Sequence, residues 1–596
     1  MYKSPEEINV VSINEEELSI QRIVAVARYL TRVQLFKGPK RKKVENVRKY
    51  VEENWLGEDS PPLYGFNTGI GSLKNVSISH EKLAQFQENY IKSHSVGVGE
   101  PLDDEIVRGA MLIQVNSLAK GHSGIRPVII DKLIEMLNKQ VHPVVPGQGS
   151  LGASGDLAPL THIASVLIGV DEAEIWLEGK KVKLQEIKDS TGVIKFKRNN
   201  EDVTFQTIPL EGKEAIALTN ATAIMLAIAV HLMHDVDILL KNADITAALS
   251  LEAMMCEKDA FAQELHQLRH QEGQIKTSRN IRALTQDSKR MTIEARHEFF
   301  KTITEKELKL KLENTGLEND IATLSSYKFD YEFEKTRVQD AYSLRCVPQV
   351  HGACKDAYNY VKKIVEREIR AVTDNPLIFA KKDSPGYEVK SGGNFHGEPL
   401  AMAMDFLAIA LTEIGSISDR RVFRLLSPRM SFGLPRNLAG GEPGLNSGFM
   451  MVQYTGAQLV SENKILSHPA SVDSIPTSDN QEDHVSMGQT AARKARRIAK
   501  NTLYLIAIEY LCAWQGIHLS ATHKSVNLDE FPLGNGTRAA FDFLKSTKAP
   551  NSKIERSFFQ LLDQDEYLKT KIEIMREISA NGDILKAVER TIELVV

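Results

Sequence analysis

Cysteine is scarce in this chain. Cys256, Cys346, Cys354 and Cys512 are its four cysteines in 596 positions, and none stands in a Cys-x-x-Cys pair. That argues against a disulfide framework and fits a reducing cytoplasm. An excess of charge is also missing: 74 basic side chains face 78 acidic ones, for a net charge of −4. Nothing in that balance calls for nucleic acid or an anionic membrane surface as a partner. The segment Met1 to Ser19 is acidic and lacks the apolar core of a secretion signal. Only Ala215 to Met233 is uncharged over a length that raises the question of a membrane span. Its alanines, with Thr219, Asn220, Thr222 and His231 among them, suit a buried core helix better. No fixed-period repeat divides the chain. The expectation is a cytoplasmic protein with no membrane and no nucleic-acid partner.

What is abundant is helix-forming apolar sequence, 42% hydrophobic overall. From Glu15 to Val33, residues Leu18, Ile20, Ile23, Val26 and Ala27 form one stripe at helical spacing. Helical patterns recur at His80 to Ser93 and Asp104 to Lys120, then as long helices at Ala215 to Lys241, His351 to Val372, Leu400 to Ser418, Gly448 to Leu466 and Val485 to Cys512. Arg493, Lys494, Arg496, Arg497 and Lys500 read as the charged face of the last of these. Ala173 to Phe205 is the one β-like patch, with a Glu178-Gly179 turn. Long helices with little strand imply a mainly α fold and a helical bundle. The expected division is an N-terminal domain over 1–213 and a bundle over 214–596. The charged stretch Arg282 to Phe333 reads as an exposed helical insert, and the basic run Lys37 to Lys43 as a solvated loop. His266 and His270 stand at i and i+4, the spacing of a zinc protease, but Gln267 occupies the place of its general-base glutamate. These are read as surface histidines, and no metal site is expected.

The chain is organised around Gly149-Ser150-Leu151-Gly152-Ala153-Ser154-Gly155-Asp156-Leu157-Ala158-Pro159-Leu160. In a tight bend the Gly155 amide nitrogen can attack the Ala153 carbonyl and close a five-membered ring. Loss of water, the Ser154 hydroxyl included, then leaves a methylidene conjugated to an imidazolone. Gly155 offers no Cβ to obstruct the approach and tolerates unusual backbone angles. Ala153 leaves the carbonyl uncrowded, and Ser154 supplies the leaving hydroxyl. Gly147 to Gly152 also matches the dinucleotide pattern G-x-G-x-x-G. That pattern needs a preceding buried parallel strand, which the two prolines of Val141 to Pro146 fit poorly.

The whole run resembles the signature of the methylidene-imidazolone (MIO) dependent aromatic amino acid ammonia-lyases and the related aminomutases. The resemblance implies an ammonia-lyase/fumarase-like architecture, an MIO-bearing globular domain joined to an elongated central helical bundle. It also implies a homotetramer with active sites built from several subunits, and MIO made from Ala153, Ser154 and Gly155 with no external cofactor. Tyr64, in Tyr64-Gly65-Phe66-Asn67-Thr68-Gly69-Ile70-Gly71, matches the family's catalytic tyrosine. As a general base it needs a pKa lowered from about 10 toward operating pH, for which helix N-terminal dipoles are the expected cause. Arg345, in Val338 to Cys346, matches the arginine that pairs with the substrate carboxylate. Gln339 and Tyr342 match positions lining the same site, although Ala341 stands where proline is expected. Asn220 matches the asparagine near the MIO group, with Ala221 replacing a glycine, and Phe395 matches an active-site phenylalanine.

Substrate choice rests on two places. Ser93-His94 puts a histidine where phenylalanine-specific members carry apolar residues, able to bond an imidazole or a phenol hydroxyl. Pro469 to Met487, with Gln481 and Glu482, looks like the histidine ammonia-lyase version, and tyrosine and phenylalanine enzymes generally lack this glutamate. A carboxylate there can accept a hydrogen bond from an imidazole or help deprotonate the amine, whereas facing a benzene ring it would only lose solvation. The resemblance thus implies L-histidine as substrate, with trans-urocanate and ammonia as products. A tyrosine ammonia-lyase or tyrosine 2,3-aminomutase using the same MIO group is the alternative.

Overall fold

The structure is a computed structural model that describes residues 4–13, 17–34, 36–301, 337–442, 444–523, 526–548 and 558–596. Among them helix predominates, and the chain divides into two compact units. The first comprises Met1–His234, Val361–Phe406 and Pro469–Arg496; the second comprises Asp235–Tyr360, Leu407–His468 and Arg497–Val596.

In the first unit, helix Ile20–Arg28 starts where the Ser19 hydroxyl accepts the Arg22 N–H at 3.4 Å. It buries Ile20, Ile23, Val26 and Ala27 of the expected stripe. Helix Asp104–Leu118 packs beside it, and Pro127–Asn138 packs on Asp104–Leu118 in turn. Arg108 ties the three together by donating to the Val26 carbonyl at 2.8 Å and the Leu137 carbonyl at 3.0 Å. Burying an arginine is tolerable only with its donors occupied in this way. All described strands lie in this unit, as five two-stranded sheets. The expected β patch is two antiparallel hairpins, Glu174–Leu177 with Lys180–Lys183 and Val193–Arg198 with Glu201–Gln206.

Strands Val98–Pro101 and Pro146–Gln148 pair antiparallel, and the second of them leads into the Gly149–Asp156 loop. The dinucleotide reading, which needs a parallel βαβ unit, has no support in that pairing. Helix Leu157–Ile168 follows the loop and stops at Gly169, whose φ of +79° ends it in the left-handed region. The helix expected over Ala215 to Lys241 is in fact broken. Glu214–Thr219 ends at Asn220, and Ala223–Ala253 begins anew. The cause is Asp156: its Oδ2 accepts the N–H groups of Ile224 at 3.0 Å and Met225 at 2.9 Å, and its own N–H donates to the Ala221 carbonyl at 2.7 Å. A carboxylate from the loop thereby caps the second helix.

Among its described residues the second unit has helices and loops but no named strand, and it encloses a buried charge pair. Arg421 grips Glu509 at 2.6 and 2.8 Å, and Ser250 and Ser418 each donate to the same carboxylate at 2.7 Å. Two helical stretches, Glu214–Ala253 and Glu398–Leu425, are long and apolar enough to cross a membrane by composition alone. Their apolar windows are 100% and 67% buried inside the protein, as in core helices.

Three expectations are corrected here. The run Lys37 to Lys43 is not a loop: it opens helix Gly38–Trp55, with Pro39 in the first turn, where its missing N–H costs nothing. The stretch from Arg282 is only partly exposed over its described residues: Gln286, Asp287, Lys289, Ile293, Glu294 and His297 face solvent while others are buried. Arg290 and Arg296 are buried, donating to the carbonyls of Glu252 and Met255 at 3.2 and 3.0 Å, with Met291, Ala295 and Phe299 buried beside them. Residues 302–333 of that stretch lie outside the described residues. His266 is buried rather than superficial, its Nε2–H donating to the Ala260 carbonyl and its Nδ1 accepting from Gln274. The helix that carries it, Gln263–Gln267, ends before His270, so the two imidazoles share no helical face.

Candidate active site

The Gly149–Asp156 loop is pinned from several directions within the first unit. The Gly152 carbonyl accepts from the Ser486 hydroxyl at 3.1 Å and the Gly397 N–H at 3.3 Å, and the Leu151 carbonyl accepts the Met487 N–H at 2.8 Å. Gly155 has φ +73°, and a Cβ built on it would lie 2.3 Å from the Ala221 carbonyl oxygen. Only glycine fits there. Asp156, immediately after it, is fully buried, and burial pushes its carboxyl up to about 7 against the donors from Met225, Ser150 and Ile224.

Beside the loop lies an open cavity of about 880 Å³, and every residue lining it belongs to the first unit. It gathers Tyr64, Ser93, His94, Ala153, Ser154, Asn220, Phe395, Gln481 and Glu482 from six separate stretches of chain. The Ser154 hydroxyl donates to Glu482 Oε1 at 3.1 Å, and the Thr477 hydroxyl donates to Oε2 at 2.9 Å. The Glu482 backbone is clasped to Thr477 across a turn in which Ser478, Asp479 and Asn480 all have φ between +53° and +61°. Three successive non-glycine residues in the left-handed region are strained, and the strain aims Glu482 at the loop. Lys74 donates to Gln481 Oε1, and the Ser72 N–H donates to the Ser478 hydroxyl at 3.1 Å. The Tyr64-bearing segment is thus joined to the Glu482 turn.

Tyr64 accepts the Gly71 N–H at 3.4 Å. The expectation that its pKa falls is not met in this chain: burial raises it above the ordinary phenol value, the Glu482 charge raises it further, and only the Gly71 N–H opposes them. That N–H opens the short 3-10 helix Gly71–Leu73, so the expected helix N-terminus is present and is outweighed. His94 closes helix Leu83–His94, its Nδ1 2.9 Å from the Tyr90 carbonyl, and burial lowers its pKa, against the Tyr90 hydrogen bond and the Glu482 charge, which favours the neutral ring. Asn220 Nδ2 donates to the Asn375 carbonyl at 3.1 Å, leaving the buried Oδ1 with no hydrogen-bond partner. Asn375 in turn accepts the Gly392 N–H at 2.7 Å, which seats the strip leading to Phe395.

Gln339, Tyr342 and Arg345 are not brought to this cavity; they belong to the second unit. Tyr342 is 71% exposed, and the Arg345 guanidinium stacks 4.5 Å over its ring while Nε donates to the Asp340 carbonyl at 2.8 Å. Sequence reasoning missed Tyr90, Lys74, His396 and His484 in the lining. It also gave Asp156 no task. Tyr90 carried a usable signal, since it precedes His94 by four positions on one helix.

Chemically, the cavity offers a phenol, a neutral imidazole, a carboxylate and an orphaned amide oxygen around a serine in a tightly turned loop. The loop fits a methylidene-imidazolone: Gly155 is held where only glycine can stand, and the Ser154 hydroxyl that must leave faces the cavity.

Comparison with known proteins agrees. The profile of the family described as aromatic amino acid lyase matches residues 18–546. The histidine ammonia-lyase of Alkaliphilus oremlandii is 41% identical over 584 residues, which cover 98% of this chain and 99% of that protein. Among solved structures, a tyrosine aminomutase from Streptomyces globisporus is 31% identical with a TM-score of 0.81, covering 98% of this chain and all of that one. A histidine ammonia-lyase from Trypanosoma cruzi is 30% identical with a TM-score of 0.77, covering 98% of this chain and 96% of that one.

Proposed function

The chain belongs to the aromatic amino acid lyase family, and on that premise we propose that it is a cytoplasmic histidine ammonia-lyase, converting L-histidine to trans-urocanate and ammonia. The observation that carries this reading is the Glu482 carboxylate, 3.1 Å from the Ser154 hydroxyl and in one cavity with His94 and Tyr64. A methylidene-imidazolone formed from Ala153, Ser154 and Gly155 would supply the electrophile that makes the amine a good leaving group, a reactivity no ordinary side chain has.

The chain's own residues do the rest. Tyr64 Oη takes the β-hydrogen as a proton; the Gly71 N–H stabilises the phenolate that can accept it, against the burial and Glu482 charge that disfavour that form in this chain alone. His94 has its Nδ1 hydrogen on the Tyr90 carbonyl, so Nε2 keeps a lone pair for the imidazole N–H of the substrate. Glu482 accepts from the imidazole or the amine, and a carboxylate in that place favours a polar ring over a benzene ring. Asn220 lines the cavity, with its buried Oδ1 left unpaired beside it, Phe395 gives apolar cover, and Ser93 and Gln481 add polar contacts. Arg345, with Gln339 and Tyr342, completes the site from another subunit of a homotetramer, its planar fork matched to a carboxylate.

One observation keeps a second reading. The His94 Nε2 lone pair would accept a phenol hydroxyl as well as an imidazole N–H, as a tyrosine ammonia-lyase or 2,3-aminomutase requires. Incubating the purified protein separately with L-histidine and L-tyrosine, with ultraviolet detection of the conjugated acid and an ammonia assay, separates the two. Urocanate from histidine alone is expected. Coumarate or a β-amino acid from tyrosine would overturn the histidine reading.

A further inference from the structure

Tyr90 is buried to 3% exposure on the wall of the cavity, and three contacts run through it. Its ring stacks on His94 with centroids 4.0 Å apart and planes 27° from parallel. Its carbonyl lies 2.9 Å from His94 Nδ1. The Ser93 hydroxyl lies 3.0 Å from the same nitrogen but donates to the Tyr90 carbonyl at 3.1 Å, and a carbonyl has no hydrogen to give, so this arrangement favours Nδ1–H with the lone pair on Nε2. Its hydroxyl lies 3.0 Å from the Thr219 hydroxyl, whose single hydrogen is already donated to the Ala215 carbonyl at 2.9 Å. Tyr90 is therefore the donor. Thr219 is the last residue of helix Glu214–Thr219, and Asn220 follows it. One side chain thus links the position of an acceptor nitrogen to the helix end that presents the orphaned Asn220 oxygen.

We propose that Tyr90 is a positioning residue for substrate recognition: it holds His94 as the Nδ1–H tautomer with Nε2 offered to the substrate ring, and registers that acceptor against Asn220. The proposal rests on the reading of His94 as a contact to the substrate ring. It assigns Tyr90 no contact with the reacting atoms; its effect passes through His94. The backbone carbonyl survives any substitution, so what a variant removes is the stack and the hydroxyl tether.

The test is a double-mutant cycle on the full-length protein with L-histidine. Tyr90→Leu removes both stack and tether and should raise KM about tenfold, the scale of one misplaced hydrogen bond, with kcat changed less than about threefold. Tyr90→Phe keeps the stack and loses only the tether, as Thr219→Val does, and should raise KM measurably but by no more than about threefold. In a His94→Ala background, Tyr90→Leu should add less than about twofold, because the residue it acts through is gone. Effects that multiply in the cycle, or a fall in kcat at unchanged KM, would overturn the proposal. Should Tyr90→Leu fail to fold, Thr219→Val cuts the tether alone, and an unchanged KM there would overturn the link to Asn220. A second readout needs no substrate: the rate at which diethyl pyrocarbonate modifies His94, followed by peptide mass spectrometry. That rate should rise at least about threefold in Tyr90→Leu or Thr219→Val as the imidazole loosens. Equal rates overturn the proposal. A changed rate in a protein that does not turn over histidine would leave the pairing standing and sink the substrate assignment instead.

Discussion

Replacing Gly155 by alanine probes the most constrained atom of the loop, and the structure gives two separate costs. The first is conformational: φ is +73°, and a Cβ in the left-handed region costs about 1–2 kcal/mol. The second is contact. The new carbon would stand 2.3 Å from the Ala221 oxygen, 2.6 Å from its carbonyl carbon and 2.8 Å from its nitrogen. Those are backbone atoms, so relief requires moving the chain between the two helices that Asp156 joins, at about 1–3 kcal/mol more. Gly179 supplies the control. Its φ is +78°, yet nothing lies within 4 Å of its Cβ position, so Gly179→Ala bears only the conformational cost of about 1–2 kcal/mol. Thermal unfolding of both variants, read by circular dichroism, should show a drop in midpoint for Gly155→Ala about twice that for Gly179→Ala. Activity should vanish only in the former. Equal drops would refute the close approach to Ala221.

Ser154→Ala should abolish turnover with the thermal midpoint retained, because the ring loses its methylidene source; parent-like turnover would sink the mechanism. Glu482→Gln should raise KM for histidine by about ten- to hundredfold, the worth of a charged hydrogen bond. The same change tests a sign: the Glu482 charge raises the Tyr64 pKa, so neutralising it lowers that pKa. The acid limb of kcat/KM should then move to lower pH, and a shift upward would exclude Tyr64 as the titrating base. Asp374→Asn strands Lys213, which is 0% exposed and bonded to Asp374 at 2.7 Å. The cost should be about 3–5 kcal/mol, most of it recovered by adding Lys213→Met, as urea or thermal unfolding would report.

The loop was legible because its chemistry needs three particular small residues in a row, and Tyr64, His94 and Glu482 because their flanking motifs are long. Helix positions followed from apolar spacing, and the β patch from its Glu178-Gly179 turn. The break at Asn220 was not legible. Ala215 to Met233 is a continuous apolar run, and what interrupts it is a hydrogen-bond cap from Asp156, more than 60 positions earlier in the chain. Arg290 and Arg296 were misread for a related reason: charge in a sequence suggests solvent, while in the fold backbone carbonyls solvate them. The Tyr64 pKa was misjudged because burial and a neighbouring carboxylate are tertiary facts. Arg345, Gln339 and Tyr342 carried a motif, but they stand in the second unit and outside the cavity's lining, which no spacing along the chain reveals.

The most direct measurement is the mass of the peptide spanning Ala153, Ser154 and Gly155 from the purified protein, taken alongside the same peptide from Ser154→Ala. The parent peptide should be lighter than its translated sequence by the water lost in ring closure and elimination of the Ser154 hydroxyl. The Ser154→Ala peptide, with no hydroxyl to eliminate, should lose at most the one water of ring closure. A parent peptide at full translated mass, in protein that still releases ammonia from L-histidine, would contradict the claim that this loop becomes the electrophile.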